Sequence, residues 1–146
     1  MKIWFDMDGT VADLYGVENW LEMLRAEDAT PYIEATPMCD MLALNEVLLK
    51  LALAGVEIGV ISWTAMNGSR EYNKAVRAAK VEWLRKFMPI VHEIHVVKYG
   101  TPKHSIGKGI LIDDNAEVRN KWKGETIDPT EKDIVEELKK ILAQLA

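Results

Sequence analysis

Short apolar runs alternate with longer helical patterns along this chain, and that alternation constrains its fold more than any other feature. The runs are Ile3-Trp4-Phe5, Val56–Ile61, Ile94–Val97 and Gly109–Ile112, with Glu125–Ile127 as a fifth, edge candidate. Runs this short, bounded by turn chemistry, read as buried strands. Between them, Met38–Ala54 is apolar nearly all round, so it reads as a helix buried on most sides, with Gly55 at its carboxyl end. Ser69 can cap a long helix with Tyr72, Val76, Ala79, Trp83 and Phe87 on one stripe, and Pro89 follows its end. A short helix runs to the region of Trp122. Thr130 and Asp133 make a capping-box-like start for a last helix, which carries Ile134, Leu138, Ile141 and Leu145 inward. Near the amino terminus, Gly16–Glu27 reads as a helix with Val17, Trp20, Leu21 and Leu24 on one face. Asp28–Pro37 holds two prolines and reads as loop. The expected fold class is α/β: a three-layer, doubly wound parallel sheet of five strands with helices on both faces.

A chain of 146 residues suits one domain, 1–146, and no internal repeat or low-complexity tract divides it. A net charge of -5 argues against broad nucleic-acid binding and against an anionic membrane surface. No apolar run reaches the roughly 18 residues of a membrane span, and the first residues hold no apolar signal core. The single cysteine, Cys39, allows no intrachain disulfide, which fits a reducing compartment. The expected location is therefore the cytoplasm.

Three of the runs stop at polar residues that a parallel sheet would bring together: Asp6 and Asp8 after the first, Ser62 after the second, Asp113 and Asp114 after the fourth. Ligands of open α/β sheets bind at these carboxyl ends of strands. Gly9 lets the chain turn away after Asp8 and leaves room near the backbone. Four clustered carboxylates repel one another near a low-dielectric core. A hard divalent cation relieves that repulsion, and Mg²⁺ pairs one or two carboxylates with waters and a substrate phosphate. Lys103, ten residues before Asp113, would add a second attraction for a phosphate dianion. Ser62 could donate to a phosphoryl oxygen, and one aspartate could attack phosphorus. Each residue also has a plainer use. Asp113-Asp114-Asn115 can cap the following helix, Ser62 can be a turn residue, and Lys103 can be a solvated lysine. Trp63 reads as a core or rim aromatic, with stacking on a substrate base as the alternative. His92, His95 and His104 have no metal-ligand spacing with Cys39.

Asp6-Met7-Asp8-Gly9-Thr10, Ser62, Lys103 and Asp113-Asp114, in this order on alternating strands and helices, resemble the four motifs of the haloacid dehalogenase (HAD) superfamily of phosphohydrolases. The resemblance runs from the first strand to the fourth. It implies that Asp6 is the nucleophile, forming an aspartyl-phosphate, and also a Mg²⁺ ligand. Asp8 would be general acid and then general base, with its backbone carbonyl on the metal. Ser62 and Lys103 would hold phosphoryl oxygens, Asp113 would be a direct Mg²⁺ ligand, and Asp114 would be a ligand or would hold a metal-bound water. Haloalkanoic acid dehalogenases lack the second aspartate and need no metal, so Asp8 points to phosphate esters. The superfamily lysine usually lies in the loop or helix start before strand four. Lys103 is therefore preferred to Lys108 and to Lys80, which reads as mid-helix on a solvent face.

The superfamily selects substrates mainly through cap insertions. Here only residues 11–37 remain for a minimal helical cap. The spacing from Lys103 through Gly107 to the Ile-Asp-Asp ending resembles the 5′(3′)-deoxyribonucleotidase branch, whose cap is larger. The expected function is Mg²⁺-dependent hydrolysis of a small phosphomonoester, with a nucleotide as the leading substrate. The alternatives are a sugar phosphate, a phosphoprotein, a nucleic-acid end, or a catalytically silent binding protein. A response-regulator receiver places its acidic pair first and its lysine last, the reverse of the order here. The amphipathic stripe of the cap must pack over the strand ends or on a second subunit, so a monomer and a homodimer both stay open. Packing over the strand ends would leave a site open on one side, with weak discrimination between nucleotide and sugar phosphates.

Overall fold

A computed structural model describes all residues, 1–146. Its strands are β1 (Lys2–Phe5), β2 (Ala12–Asp13), β3 (Thr36–Pro37), β4 (Glu57–Trp63), β5 (Glu93–Val97), β6 (Ile110–Ile112) and β7 (Thr126–Ile127). Its helices are α1 (Trp20–Arg25), α2 (Thr30–Glu34), α3 (Met41–Leu53), α4 (Arg70–Phe87), α5 (Ala116–Lys121) and α6 (Ile134–Leu145). Five strands form one sheet in the order β5-β4-β1-β6-β7, and every neighbouring pair is parallel. The α/β class and the five-stranded parallel sheet flanked by helices are as the alternating pattern predicts.

Alternate side chains of the central strands feed two separate cores. Ile3 and Phe5 of β1, Ile58 and Val60 of β4, and Ile110 and Ile112 of β6 pack with α3, α4 and α6 in the larger cluster. Trp4, Ile61 and Leu111 face the other way and pack with Trp122 just past α5. Side chains one residue apart on a strand point to opposite faces, so a fully apolar strand requires cover on both sides. Trp4 fills much of the second side. Its Nε1 donates to the Lys108 carbonyl at 3.0 Å. A Cβ on Gly59 or Gly107 would lie 2.4 Å from its ring, so both glycines make room for it.

The chain leaves β1 towards β4 and β5 on one side, then returns to β6 and β7 on the other. The strand order thus reverses between β1 and β6. In open α/β sheets the crevice for a ligand lies outside the carboxyl ends at such a point. Asp6 and Asp113 are the residues that follow β1 and β6 there.

The helix caps are local. Asp40 accepts from the amides of Leu42 and Ala43, Ser69 from Tyr72, Asn115 from Glu117 and Val118, and Asp133 from Glu136. Thr130 does not share in the last cap; its hydroxyl donates to Asp128 at 2.7 Å.

The segment 11–37 departs most from its sequence reading. Residues 16–27 do not form one helix, because Asn19 takes a left-handed conformation (φ 62°) and α1 begins only after it. Residues 28–37 are not simply loop. Pro31 stands in the first turn of α2, where no backbone N–H is required, and Asp28 accepts from the amide and hydroxyl of Thr30. β2 and β3 pair antiparallel and pin the two ends of the segment together.

Candidate functional site

The loop after β1 is built around one carbonyl. The Met7 oxygen accepts from the amides of Thr10, Val11 and Ala12 at 2.9–3.0 Å. Gly9 sits at φ 80°, which only glycine adopts without strain, and a Cβ there would lie 2.5 Å from the Asp114 carboxylate. The loop therefore holds Asp6 and Asp8 on the strand end while its turn lies against Asp114.

Carboxylate oxygens of Asp6, Asp113 and Asp114 lie within 4.8 Å of one another. The Lys103 ammonium bridges Asp6 Oδ1 and Asp113 Oδ2, each at 2.8 Å. Thr10 Oγ1 lies 3.1 Å from both Asp6 Oδ2 and Asp114 Oδ1, and accepts from the Asp114 amide. Asp113 Oδ1 accepts from the Asn115 amide at 2.9 Å.

These contacts sort the carboxyls electrically. Burial pushes Asp6 up, but the Lys103 charge and hydrogen bonds from Asp114 and Lys103 outweigh it, leaving Asp6 below its ordinary value. Burial, then the Asp6 charge, pushes Asp113 up to about 6. Burial, with the hydrogen bond to Asp6 and the Asp6 charge, pushes Asp114 up to about 7. Burial lowers the Lys103 ammonium, yet Asp6 and Asp113 overcompensate and raise it. The cluster thus carries more negative charge than its lysine balances.

That donor set fits a hard divalent cation. It offers oxygen ligands only, on three short side chains, with no imidazole or thiolate. Asp6, Asp113 and Asp114 could hold a metal ion. The Asp8 carboxylate is not part of this group.

Asp8 belongs to a second cluster. The Lys80 ammonium lies 2.8 Å from Asp8 Oδ2, 2.8 Å from Ser62 Oγ and 2.6 Å from the Trp63 carbonyl. The expectation that Lys80 lies on a solvent face is wrong: only 1% of the residue is exposed. Position 80 is four residues after Val76 and three before Trp83, so the 3.6-residue period places it on the buried stripe. A charge on that stripe was the signal that could have revealed it. Lys108 does not reach either cluster; its carbonyl receives Trp4. Thr10, at the end of the first motif, has no role in the sequence reading, yet it joins Asp6 to Asp114.

All four expected catalytic residues, Asp6, Asp8, Ser62 and Lys103, line one cavity of about 620 Å³, together with Asp113 and Asp114. Much of the remaining lining is aromatic. Tyr15, Trp20, Tyr32, Trp63, Tyr72 and Tyr99 all contribute. Burial and the Asp8 charge push the phenols of Tyr15 and Tyr32 upward, so both stay neutral. Trp63 is a rim aromatic, as expected: its Nε1 donates to the Thr101 carbonyl at 2.9 Å and its ring meets Tyr99 edge-on at 5.0 Å. Residues 11–37 pack down over the strand ends. Tyr32 and Leu14 join Tyr72, Val76 and Ala79 in a small core. Glu27 accepts from the Ser69 amide and hydroxyl at 2.7 Å, and Tyr72 donates to the Asp28 carbonyl. Of the α1 stripe, Leu24 packs against this small core, and Trp20, Leu21 and Leu24 all line the cavity.

No helix is long and apolar enough to cross a membrane. Comparison with models of known protein families finds no match, and comparison with curated proteins finds none.

Proposed function

We propose that this chain is a Mg²⁺-dependent phosphomonoester hydrolase of the HAD type, and that its substrate is a nucleoside monophosphate. The observation that carries the reading is the meeting of the Asp6 carboxylate with Lys103, Asp113 and Asp114 at the sheet crevice. A nucleophile, a cation for phosphoryl oxygens and a carboxylate set for a divalent ion are the parts that phosphoryl transfer to an aspartate requires.

Asp6, Asp113 and Asp114 would hold Mg²⁺, which when bound stabilises negative charge on the phosphoryl oxygens. An Asp6 oxygen attacks phosphorus; the bond to the ester oxygen breaks as Asp8 gives that oxygen a proton. Asp8 then takes a proton from water, whose oxygen attacks the aspartyl-phosphate and releases inorganic phosphate. Lys103 has two acceptors for its three N–H donors, so one remains for a phosphoryl oxygen. Lys80 fills the acceptor side of Ser62 and leaves the hydroxyl proton free for another.

The accessible rings of Tyr15, Trp20, Trp63 and Tyr99 favour a nucleotide over a sugar phosphate. They give a planar base stacking surface in a cavity of about 620 Å³, within the size range of small-molecule sites. This replaces the expectation of weak discrimination, which considered the length of the cap and not its rings. The test is a Mg²⁺-supplemented screen of nucleoside monophosphates, sugar phosphates and phosphopeptides. Nucleotides are expected to lead in kcat/KM by at least about tenfold, the worth of one good aromatic contact. Equal rates across the panel refute the substrate class, and no phosphate release from any member refutes the activity.

A further inference from the structure

Lys80 is a buried charge that the hydrolytic mechanism above does not use. It stands in the middle of α4, an 18-residue helix anchored beside it by Val76, Ala79, Trp83 and Leu84. Its ammonium has three donors, and all three are taken: by Asp8 Oδ2, Ser62 Oγ and the Trp63 carbonyl. The Tyr32 ring covers it at 5.1 Å. It has no donor left for a phosphate, in contrast to Lys103. Asp8 is held differently at its two oxygens. Oδ2 accepts from Lys80, whereas Oδ1 has no hydrogen-bond partner, and the residue lines the cavity.

We infer that Lys80 is the positioning residue for Asp8, tying down Oδ2 so that Oδ1 is presented to the leaving-group oxygen of a bound phosphate ester. The inference rests on the phosphomonoesterase reading and adds a residue to it. The two lysines then divide the work: Lys103 serves the phosphoryl group and Lys80 serves proton transfer. The anchor for the proton-transfer group lies on a rigid core helix, not on the 11–37 segment, so Asp8 keeps its aim whether or not that segment moves. A rotamer held within hydrogen-bond reach of the ester oxygen is what general acid catalysis needs.

The test compares two substrates of wild-type, Lys80→Met, Asp8→Asn and double-variant protein. The p-nitrophenolate of p-nitrophenyl phosphate leaves without a proton; the alkoxide of glycerol phosphate does not. Lys80→Met is expected to lower kcat/KM, which ends at release of the leaving group and excludes the shared hydrolysis of the aspartyl-phosphate, by about 100-fold on glycerol phosphate, in the range of general acid catalysis, and by less than about fivefold on p-nitrophenyl phosphate. Asp8→Asn should show the same selectivity, and adding Lys80→Met to it should cost no more than about twofold, because residues that act as one unit are not additive. Removing one member of a buried pair threatens folding. Lys80→Gln keeps a donor towards Asp8 and serves if the Met variant does not fold; it should show the same selectivity with a smaller loss. Equal losses on both substrates in a folded variant, or additive losses in the double variant, overturn the role of Lys80 and leave the phosphatase reading standing. A wild-type chain that hydrolyses neither substrate overturns that reading and the role of Lys80 with it.

Discussion

Asp6 and Lys103 are 97 residues apart in sequence, and their side chains form a buried ion pair at 2.8 Å. The pair holds the Asp6 carboxylate ionised, and ionisation is what a nucleophilic carboxylate requires. Asp6→Asn is therefore expected to abolish turnover. The amide has the same shape, so the fold should survive, with Lys103 still paired to Asp113. The loss in kcat should exceed about 100-fold, equivalent to about 2.7 kcal/mol. A smaller loss, measured by phosphate release from folded protein, excludes Asp6 as the nucleophile.

Metal removal should stop the reaction. The Asp6, Asp113 and Asp114 oxygens are close enough to share one ion. Excess EDTA is expected to silence phosphate release, and added Mg²⁺ to restore it. Ca²⁺ should substitute poorly, because it takes more ligands at longer bonds. Undiminished turnover in EDTA contradicts the site as assigned. Isothermal titration with Mg²⁺ alone gives a second check, and Asp113→Asn should weaken that binding.

The metal-free protein should lose stability as pH rises through the neutral range. Asp113 is raised to about 6 and Asp114 to about 7, above the ordinary aspartate value of roughly 3.9 in an unfolded chain. Raised carboxyls make the folded state bind more protons than the unfolded state. Their contribution to stability is fully present below about pH 4 and is lost as pH rises through their folded values. Asp6, held low, acts in the opposite sense but only below its ordinary value, outside this window. In EDTA, Tm is expected to fall between pH 5 and pH 8, and saturating Mg²⁺ should reduce that fall. A Tm that climbs steadily over the same range without metal disproves the raised values.

Trp20 should matter for the substrate and little for the fold. Its helix buries no residue completely, its ring meets Tyr15 edge-on at 4.9 Å, and it lines the cavity. Trp20→Ala is expected to raise KM for a nucleoside monophosphate by about threefold to tenfold, the scale of one lost aromatic contact. KM for a phosphate ester without a ring should move much less. Unchanged kinetics on both substrates in stably folded protein removes α1 from the site.

The class of fold was legible in the sequence because strand and helix periods are local properties. Ile3-Trp4-Phe5 and Ile110-Leu111-Ile112 are apolar on both faces, and such strands must be covered on both sides. The caps at Ser69 and Asp133 were legible for the same reason, since each bonds within its own first turn. Asp6, Asp8, Ser62, Asp113 and Asp114 could be picked out because each stands at or just after a strand end, and a parallel sheet collects those ends on one side; Lys103 lies in the turn before β6 and could be picked out only by its place in the motif order.

Tertiary structure alone decided the partners. Nothing near Asp8 in sequence indicates that its charge is met by Lys80, 72 residues away, while Asp6 is met by Lys103. Nor does any single segment show that Tyr15, Tyr32, Trp63 and Tyr99 line one cavity, because they come from four different elements or loops. The 11–37 segment was misread for a related reason. Its helices are five and six residues long, too short to hold by their own propensity, and they persist through contacts to Ser69, Tyr72 and Trp83 of the α4 region. Hydrophobic period and capping act over a few residues and can be read along the chain. Charge pairing and cavity shape act through space, and they exist only once the sheet has set distant residues side by side.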